Sequence, residues 1–493
     1  MNKMKGISMK FVVTFDIGTT AVKGVLVSSE GKIVYSKSKE ITTIFDKNFK
    51  EQNPDDWYNS FCEISREMLA LGINKEDILG IIMSGQMQDL IMVDKYGRSI
   101  DNAILYSDGR ASKEADFISN LIGVEEIRKS TGNNFDGTMP FAKLLWLKNN
   151  KPNICSKINS ILISSKDYCI ARLTGKYATD LTSASTSGMM DIRKKEFNTS
   201  WLNKVGINSD FLPNLYSPAE VVGEVTEEAS QESGYNVGTK VYAGIGDAGA
   251  TTLASGIKYS GEVNINIGTS GWVATISDDV VKGYGVFNLV AAERELYINV
   301  VPFLNAGNVH NWIAETFAGD ADINKYAYIN SLLRKRSPGS NKLIFLPYIV
   351  GERFPVMDNN IKGCFYGITP ETKKEDMISA ALEGVAFSIK QGLEEVAKES
   401  KKITLIGGGA KEEHWCQILS DILGKELIAF TNTEFLPAIA IAGLVFGSGE
   451  EVYKNDGTKH YYPENHNVKL YNKLYEDFKK LYPRLKGMSE NPV

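Results

Sequence analysis

The stretch 15-FDIGTTAVKGVLV-27 reads as a strand, a Gly-Thr-Thr corner and a second strand, and 264-NINIGTSGWVATI-276 reads the same way. Gly18 and Gly268 stand 268 − 18 = 250 positions apart, so one chain builds this corner twice. The surroundings repeat as well. "KFVVTFDIG" and "GVLVSSEGKIVYSKS" alternate apolar and polar residues, which predicts consecutive antiparallel strands. A helical pattern follows in "NPDDWYNSFCEISREMLALG", with Asn53 or Asp55 as its cap and Pro54 in its first turn. The buried strand "ILGIIMSG" comes next. In the second half, "GEVNINIGTSGWVATI" and "ERELYINVVPFLNAG" read as strands. The amphipathic helix "EDMISAALEGVAFSIKQGLEEVAKES" then leads to the strand "KKITLIGGGA". Strand groups alternating with helices imply an α/β class. The repetition implies two duplicated domains, residues 1–255 and 256–493, divided within the glycine-bearing 252-TLASGIKYSGE-262. A duplicated α/β fold is expected to leave its ligand cleft between the halves.

Composition narrows the function. A chain of 493 residues exceeds one ordinary core, and 43 % hydrophobic with 23 % charged residues is globular composition. A net charge of −5 gives no general affinity for nucleic acid or an acidic membrane surface. The basic stretch 332-LLRKRSPGSNK-342 reads as a solvated loop. Cys62, Cys155, Cys169, Cys364 and Cys416 are odd in number and scattered, which fits free thiols in a reducing compartment rather than a zinc site. The N-terminus has no apolar leader and no apolar run spans a bilayer, so a cytoplasmic protein is expected. His310, His414, His460 and His466 form no metal-like pair and suggest no Ser-His-Asp arrangement, so each reads as a surface or packing residue. The C-terminal 469-KLYNKLYEDFKKLYPRLKG-487 reads as a packed terminal helix, and a homodimer is left open.

The chemistry follows from the corners. A Gly-Thr turn directs consecutive backbone N–H groups outward, the glycine supplying an unusual φ and the threonine hydroxyl a further donor, and such a nest attracts phosphate oxygens. One copy alone reads as a hairpin; two copies in equivalent places point to phosphate. Asp16 precedes the first corner and Lys23 follows it, and a carboxylate beside phosphate is suited to Mg²⁺ between them. In 407-GGGAKEEHW-415, three glycines after the strand "ITLI" let backbone approach a flat ligand face, although alone they read as a tight turn. The Walker spacing is absent. The segment 244-GIGDAG-249 satisfies the dinucleotide spacing, yet Asp247 would stand where a pyrophosphate meets the helix N-terminus, which argues against that site. An aspartate at a strand end can instead take the proton of a hydroxyl attacking a γ-phosphorus.

Together "DIGTTAVKG", "SGQMQD", "SDGR", "PFAKLLWL", "GDAGAT", "NIGTSG", "FLPYIVGERFP", "KGCFYGI", "ALEGVAF" and "GGGAKEEHWCQILSDILG" resemble the FGGY carbohydrate kinases, and within them the xylulokinases, over residues 11 to 450. The resemblance implies two ribonuclease H-like domains of the actin-like ATPase type, and MgATP-dependent phosphorylation of a sugar hydroxyl. By it, Asp247 is the catalytic base and Asp16 lies near Mg²⁺. Gly18, Thr19 and Thr20 form the first phosphate corner with Lys23 following, and Gly268 and Thr269 form the second. Gly307 and Asn311 fall near the ATP phosphates and ribose, and Gly408, Gly409 and Glu413 fall at the adenosine site. Met87 and Gln88 bind the sugar together with Asp247. Xylulokinases read Gln-Met-His-Gly where this chain has Gln86-Met87-Gln88-Asp89, and Asp-Asn where it has Asp247-Ala248. The sugar is therefore open among xylulose, another ketose, gluconate and a polyol. Two other classes share parts of the pattern: an actin-like nucleotide switch or filament former shares the corners, and a dehydrogenase shares only "GIGDAG".

Overall fold

Phe11–Ile17 (β1), Ala21–Ser28 (β2) and Ile33–Glu40 (β3) form the expected antiparallel run in the computed structural model of the chain. The structure describes residues 9–488 except 47–48, 284, 294, 319–323, 335–336, 398, 401, 432 and 448–456. Ile17 pairs with Val22, which leaves Gly18, Thr19 and Thr20 as the corner and sets Asp16 opposite Lys23. The helix Pro54–Leu69 (α1) starts at Asn53, whose side chain accepts the N–H of Asp55 at 3.1 Å, so Asn53 is the cap and Asp55 lies in the first turn. Trp57, Phe61, Ile64 and Met68 bury one face of α1, and Phe61 meets the Phe15 ring of β1 at 4.3 Å. Burial of one such side chain stabilises by about 1.5–3 kcal/mol.

Ile78–Gly85 (β4) runs parallel to β1, with Gly85 level with Ile17. Beyond it come the helices Pro140–Asn150 (α2) and Ser165–Thr174 (α3), the strands Val221–Glu224 (β5), Lys240–Tyr242 (β6) and Ile245–Gly246 (β7), and the helix Asp247–Ala254 (α4). The sheet order is β5-β6-β4-β1-β2-β3, and β7 also lies parallel on β4. The carboxyl ends of β1, β4 and β7 therefore share one edge of this first compact unit.

The second unit repeats the plan. Glu262–Ile267 (β8) pairs antiparallel with Gly271–Ser277 (β9), and Tyr297–Phe303 (β10) follows them in the sheet. Then come the helices Gly307–Ala318 (α5) and Lys374–Val396 (α6), the strand Lys402–Ile406 (β11) parallel to β8, the helix Glu413–Leu423 (α7), and the strands Leu427–Phe430 (β12) and Thr458–Tyr461 (β13). The order β10-β9-β8-β11 matches β3-β2-β1-β4, so the corner recurs because the topology around it is duplicated. The helix Asn465–Leu485 packs Tyr471, Leu474 and Phe478 into this unit's core.

Two stretches beyond position 256 lie with the first unit: Asn288–Tyr297, and the helix Leu436–Phe446 (α8). The reason for α8 is apolar. Ile441 and Ala442 pack with Val12, Val25, Val27, Ile82, Ile245 and Ala250. The basic stretch 332–342 departs from a plain loop. Leu332 and Leu333 are buried at the end of the helix Lys325–Leu333, while Lys335 and Arg336 lie outside the described residues. All five cysteines are free. Among the described residues, no helix is long and apolar enough to cross a membrane.

Candidate active site

The first corner differs from expectation in two physical details. Neither Gly18 nor Gly268 adopts a positive φ, so conformational freedom is not what selects glycine there. Space is the reason: a Cβ would stand 3.2 Å from the Ala21 carbonyl at Gly18 and 3.3 Å from the Ser270 carbonyl at Gly268. The Thr19 hydroxyl is also committed. Trp57 Nε1 can only donate, and it donates to Gln52 Oε1 at 3.1 Å. Gln86 Nε2 donates to the same oxygen at 3.1 Å, which leaves Gln86 Oε1 to accept from Thr19 Oγ1 at 2.5 Å. Gln52 Nε2 closes the ring on the Thr19 carbonyl at 2.7 Å. The hydroxyl proton of Thr19 is therefore used internally.

Asp16 stands next to last in β1 with Oδ1 accepting from Ser84 Oγ at 2.9 Å, while Oδ2 has no hydrogen-bond partner among the described residues. Burial raises its pKa, against the pull of Ser84 and of the Lys23 charge. Asp247 begins α4, directly after β7. Water reaches its side chain, yet the protein around it limits hydration of the charged form. That restriction first, and then the Asp16 and Asp180 charges, push its pKa up to about 7 against a hydrogen bond from the Ala248 N–H.

Asp180 also fixes the strand end that carries Asp247. Its Oδ2 accepts the N–H groups of Thr182 at 2.9 Å, Ser183 at 3.1 Å and Gly246 at 3.4 Å. Its Oδ1 meets Lys166 Nζ at 2.8 Å, and Lys166 also meets Asp167 at 2.6 Å, all three fully buried. A Cβ on Gly246 would strike Met87 Sδ at 2.2 Å, so Met87 lies flush against the residue before Asp247.

The loop after β4 carries Met87 and Gln88. Gln88 sits in the left-handed region at φ 67°, a conformation that costs a non-glycine residue about 1–3 kcal/mol. Lys143, fully buried on α2, holds it there by donating to the carbonyls of Gln88 at 3.0 Å and Leu105 at 2.8 Å. Asp89 is buried with Oδ1 accepting the Tyr106 N–H at 2.9 Å and Oδ2 unpartnered. Burial raises the Asp89 pKa and lowers that of Lys143.

The second unit gathers its own set. Gly307 N donates to the Gly268 carbonyl and Asn308 N to the Thr269 carbonyl, both at 2.9 Å, which fixes the N-terminus of α5 on the second corner. Glu352, fully buried, accepts from the N–H groups of Leu304 at 2.6 Å and Asn305 at 3.3 Å, just ahead of α5. Gly407 has φ 90°, and a Cβ there would lie 2.5 Å from the Ile267 carbonyl, so the turn Gly408–Lys411 is pressed against the same corner. Glu413 opens α7 and pairs with Lys459. Asn311 is engaged by Glu315, Lys325 and Tyr326. His310 is a packing residue, its ring tilted against those of Tyr326 and Trp415, with its pKa pushed down to about 4 by burial.

Residues 11–254 match the N-terminal domain of the FGGY family of carbohydrate kinases, and residues 263–439 match its C-terminal domain. The chain belongs to the FGGY family. It is 30 % identical to the xylulose kinase of Bacillus subtilis over 98 % of each chain, and 29 % identical to that organism's gluconokinase over 85 % of this chain and 84 % of the other. A ligand-bound xylulose kinase and a gluconate kinase, both from Lactobacillus acidophilus, each superpose with a TM-score of 0.88 at 28 % identity. Each comparison covers 98 % of this chain and 99 % of the other. The protein is thus a carbohydrate kinase, a phosphotransferase of the actin-like ATPase fold.

In this FGGY kinase, Asp16, Gly18, Thr19, Lys23, Met87, Gln88 and Asp247 come together at one strand edge of the first unit. Gly268, Thr269, Gly307, Gly408 and Gly409 come together in the second. Sequence reading missed Asp180, Lys166, Asp89 and Glu352 as supports. The signal for Asp180 was present in "TDLTS", an N-cap spacing, and Glu352 stands inside "GERFP".

Proposed function

We propose that this kinase transfers the γ-phosphate of MgATP to a hydroxyl of a ketopentose such as xylulose. The observation that carries the reading is Asp247, an aspartate with its pKa near 7 at a strand end, flush with the Met87–Gln88 loop. In this reading the loop holds the sugar and Asp247 takes the proton of the attacking hydroxyl as its oxygen bonds to the γ-phosphorus and ADP leaves. The N–H groups of Thr19 and Thr20 receive phosphate oxygens, with Lys23 adding positive charge, while the Gly18 N–H closes the corner on the Ala21 carbonyl at 3.0 Å. In the second unit the Thr269 N–H plays that part, in a corner shaped by Gly268, whose N–H is held by the Ser270 carbonyl, and by Gly307, whose N–H is held by the Gly268 carbonyl; in this reading Asn311, Gly408, Gly409 and Glu413 lie toward the nucleoside.

Mg²⁺ suits the donors present. Among the described residues there is no cluster of three metal-binding side chains, and Mg²⁺ takes one or two carboxylates together with water and phosphate. Asp16, with Oδ2 unpartnered and its charge poorly hydrated, is the residue that would hold it. The ion would neutralise charge on the phosphates.

A coupled ADP-release assay against D-xylulose, L-xylulose, ribulose, gluconate, glycerol and erythritol tests the reading. ADP should form only with an acceptor sugar. Sugar-independent ATP turnover without a phosphosugar would favour a nucleotide switch. Asp247→Asn should lower kcat by about 10²–10⁴ while ATP binding persists.

A further inference from the structure

Gln88 is held at two points, and the second fixes which end of its amide faces outward. The Asp136 carboxylate can only accept, and Thr138 Oγ1 donates its single proton to Asp136 Oδ1 at 2.5 Å. The Thr138 oxygen must then accept from Gln88, and only the amide nitrogen can supply that bond, which measures 2.6 Å. Gln88 Oε1 is therefore turned away from Thr138, and no donor reaches it among the described residues. The Thr138 N–H, at 2.7 Å from Asp136 Oδ1, locks the same turn ahead of α2.

The neighbouring charges reinforce this polarity. Asp247 follows the Gly246 that Met87 packs against, Asp16 is close enough to act on the Asp247 charge, and Asp89 follows Gln88 directly with its side chain buried. The nearby cations are committed elsewhere. Lys143 is bound to two carbonyls, Lys166 to Asp167 and Asp180, and Arg110 to Asp108 and Glu51. Lys23 stands opposite Asp16. A sugar hydroxyl finds an acceptor here, whereas the carboxylate of a sugar acid meets an acceptor oxygen near the poorly hydrated carboxyl groups of Asp16 and Asp247, where added negative charge is disfavoured. Like charges brought together across a recognition surface cost several kcal/mol.

The geometry points to Gln88 as a specificity-determining residue that accepts a hydrogen bond from a hydroxyl of a neutral sugar, with Thr138 and Asp136 as positioning residues that exclude sugar acids. The inference rests on the reading of Met87 and Gln88 as the acceptor loop. Thr138 is half-buried and Asp136 exposed, so variants there spare the core.

Steady-state kinetics with D-xylulose and D-gluconate test it. The unaltered kinase should favour xylulose in kcat/KM by at least about 100-fold. Thr138→Val frees the amide to turn, and the KM for xylulose should rise about tenfold, the scale of one neutral hydrogen bond, with kcat within about twofold. The preference over gluconate should narrow. Thr138→Ser, which keeps the hydroxyl, should restore both. Preference of the unaltered kinase for gluconate overturns the inference. So does a Thr138→Val enzyme with unchanged KM and unchanged preference. If Asp247→Asn abolishes turnover while Thr138→Val is silent, the inference alone fails. If Asp247→Asn keeps its rate, the underlying acceptor-site reading fails first.

Discussion

At the scale of single residues, the carboxylates around Asp247 set when it could act as the proposed base. Asp16 and Asp180 both raise its pKa, which stands at about 7. A base must be deprotonated, so kcat/KM should fall on the acid side of about pH 7 with the slope of one proton, and remain level above it. Asp180→Asn removes one of the raising charges. The acid limb should then move to lower pH, since Asp247 would lose its proton more easily. Lys166 keeps Asp167 at 2.6 Å in that variant, so no buried cation is orphaned. Initial rates measured from pH 5 to 9 check both statements, and a limb that stays in place after Asp180→Asn would show that its charge does not reach Asp247. The placement of Asp247 at a strand end was legible in sequence, because "GIGDAG" follows the strand "KVYA" and offers an acidic group where a dinucleotide would need none. Asp180 was legible only as a helix cap in "TDLTS"; its hold on Lys166 and on the Gly246 N–H joins residues far apart in sequence, which no local period encodes.

At the scale of elements, the second corner and α5 act as one piece. A Cβ at Gly307 would lie 2.3 Å from the Gly268 carbonyl, which neither backbone can tolerate in place. Gly307→Ala should push the helix N-terminus off the corner and raise the KM for ATP about tenfold or more, a loss of at least about 1.4 kcal/mol. The KM for sugar should stay within about twofold, because the proposed acceptor loop belongs to the first unit. Varying each substrate in turn measures the split, and equal losses for both would point to general unfolding. Long elements with caps were legible: Asn53 and Pro54 mark α1, and the apolar stripe marks α6. β7 was not, since its two residues carry no period. The basic stretch reads as a loop from charge alone, yet Leu332 and Leu333 obey the core.

At the scale of the whole molecule, the duplication was legible because each half repeats the same strand order around its corner. The path of α8 was harder to read. "LPAIAIAGLVF" is apolar nearly all round, which says that it is buried without saying against what. Its contacts with Val12, Val25, Val27, Ile82 and Ile245 make the first unit depend on residues late in the chain. Ile441→Ala should therefore cost about 2–5 kcal/mol, the range for emptying a core aliphatic site. A chain ended at Ala254 keeps every strand of the first sheet but uncovers that apolar face. It should bind a hydrophobic dye such as ANS and aggregate, as exposed apolar patches do. Rejoining residues 434–447 to it through a flexible Gly/Ser linker should suppress dye binding and restore a cooperative thermal transition. If the chain ended at Ala254 stays monomeric, melts cooperatively and ignores the dye, the first unit is self-sufficient and α8 contributes no essential cover.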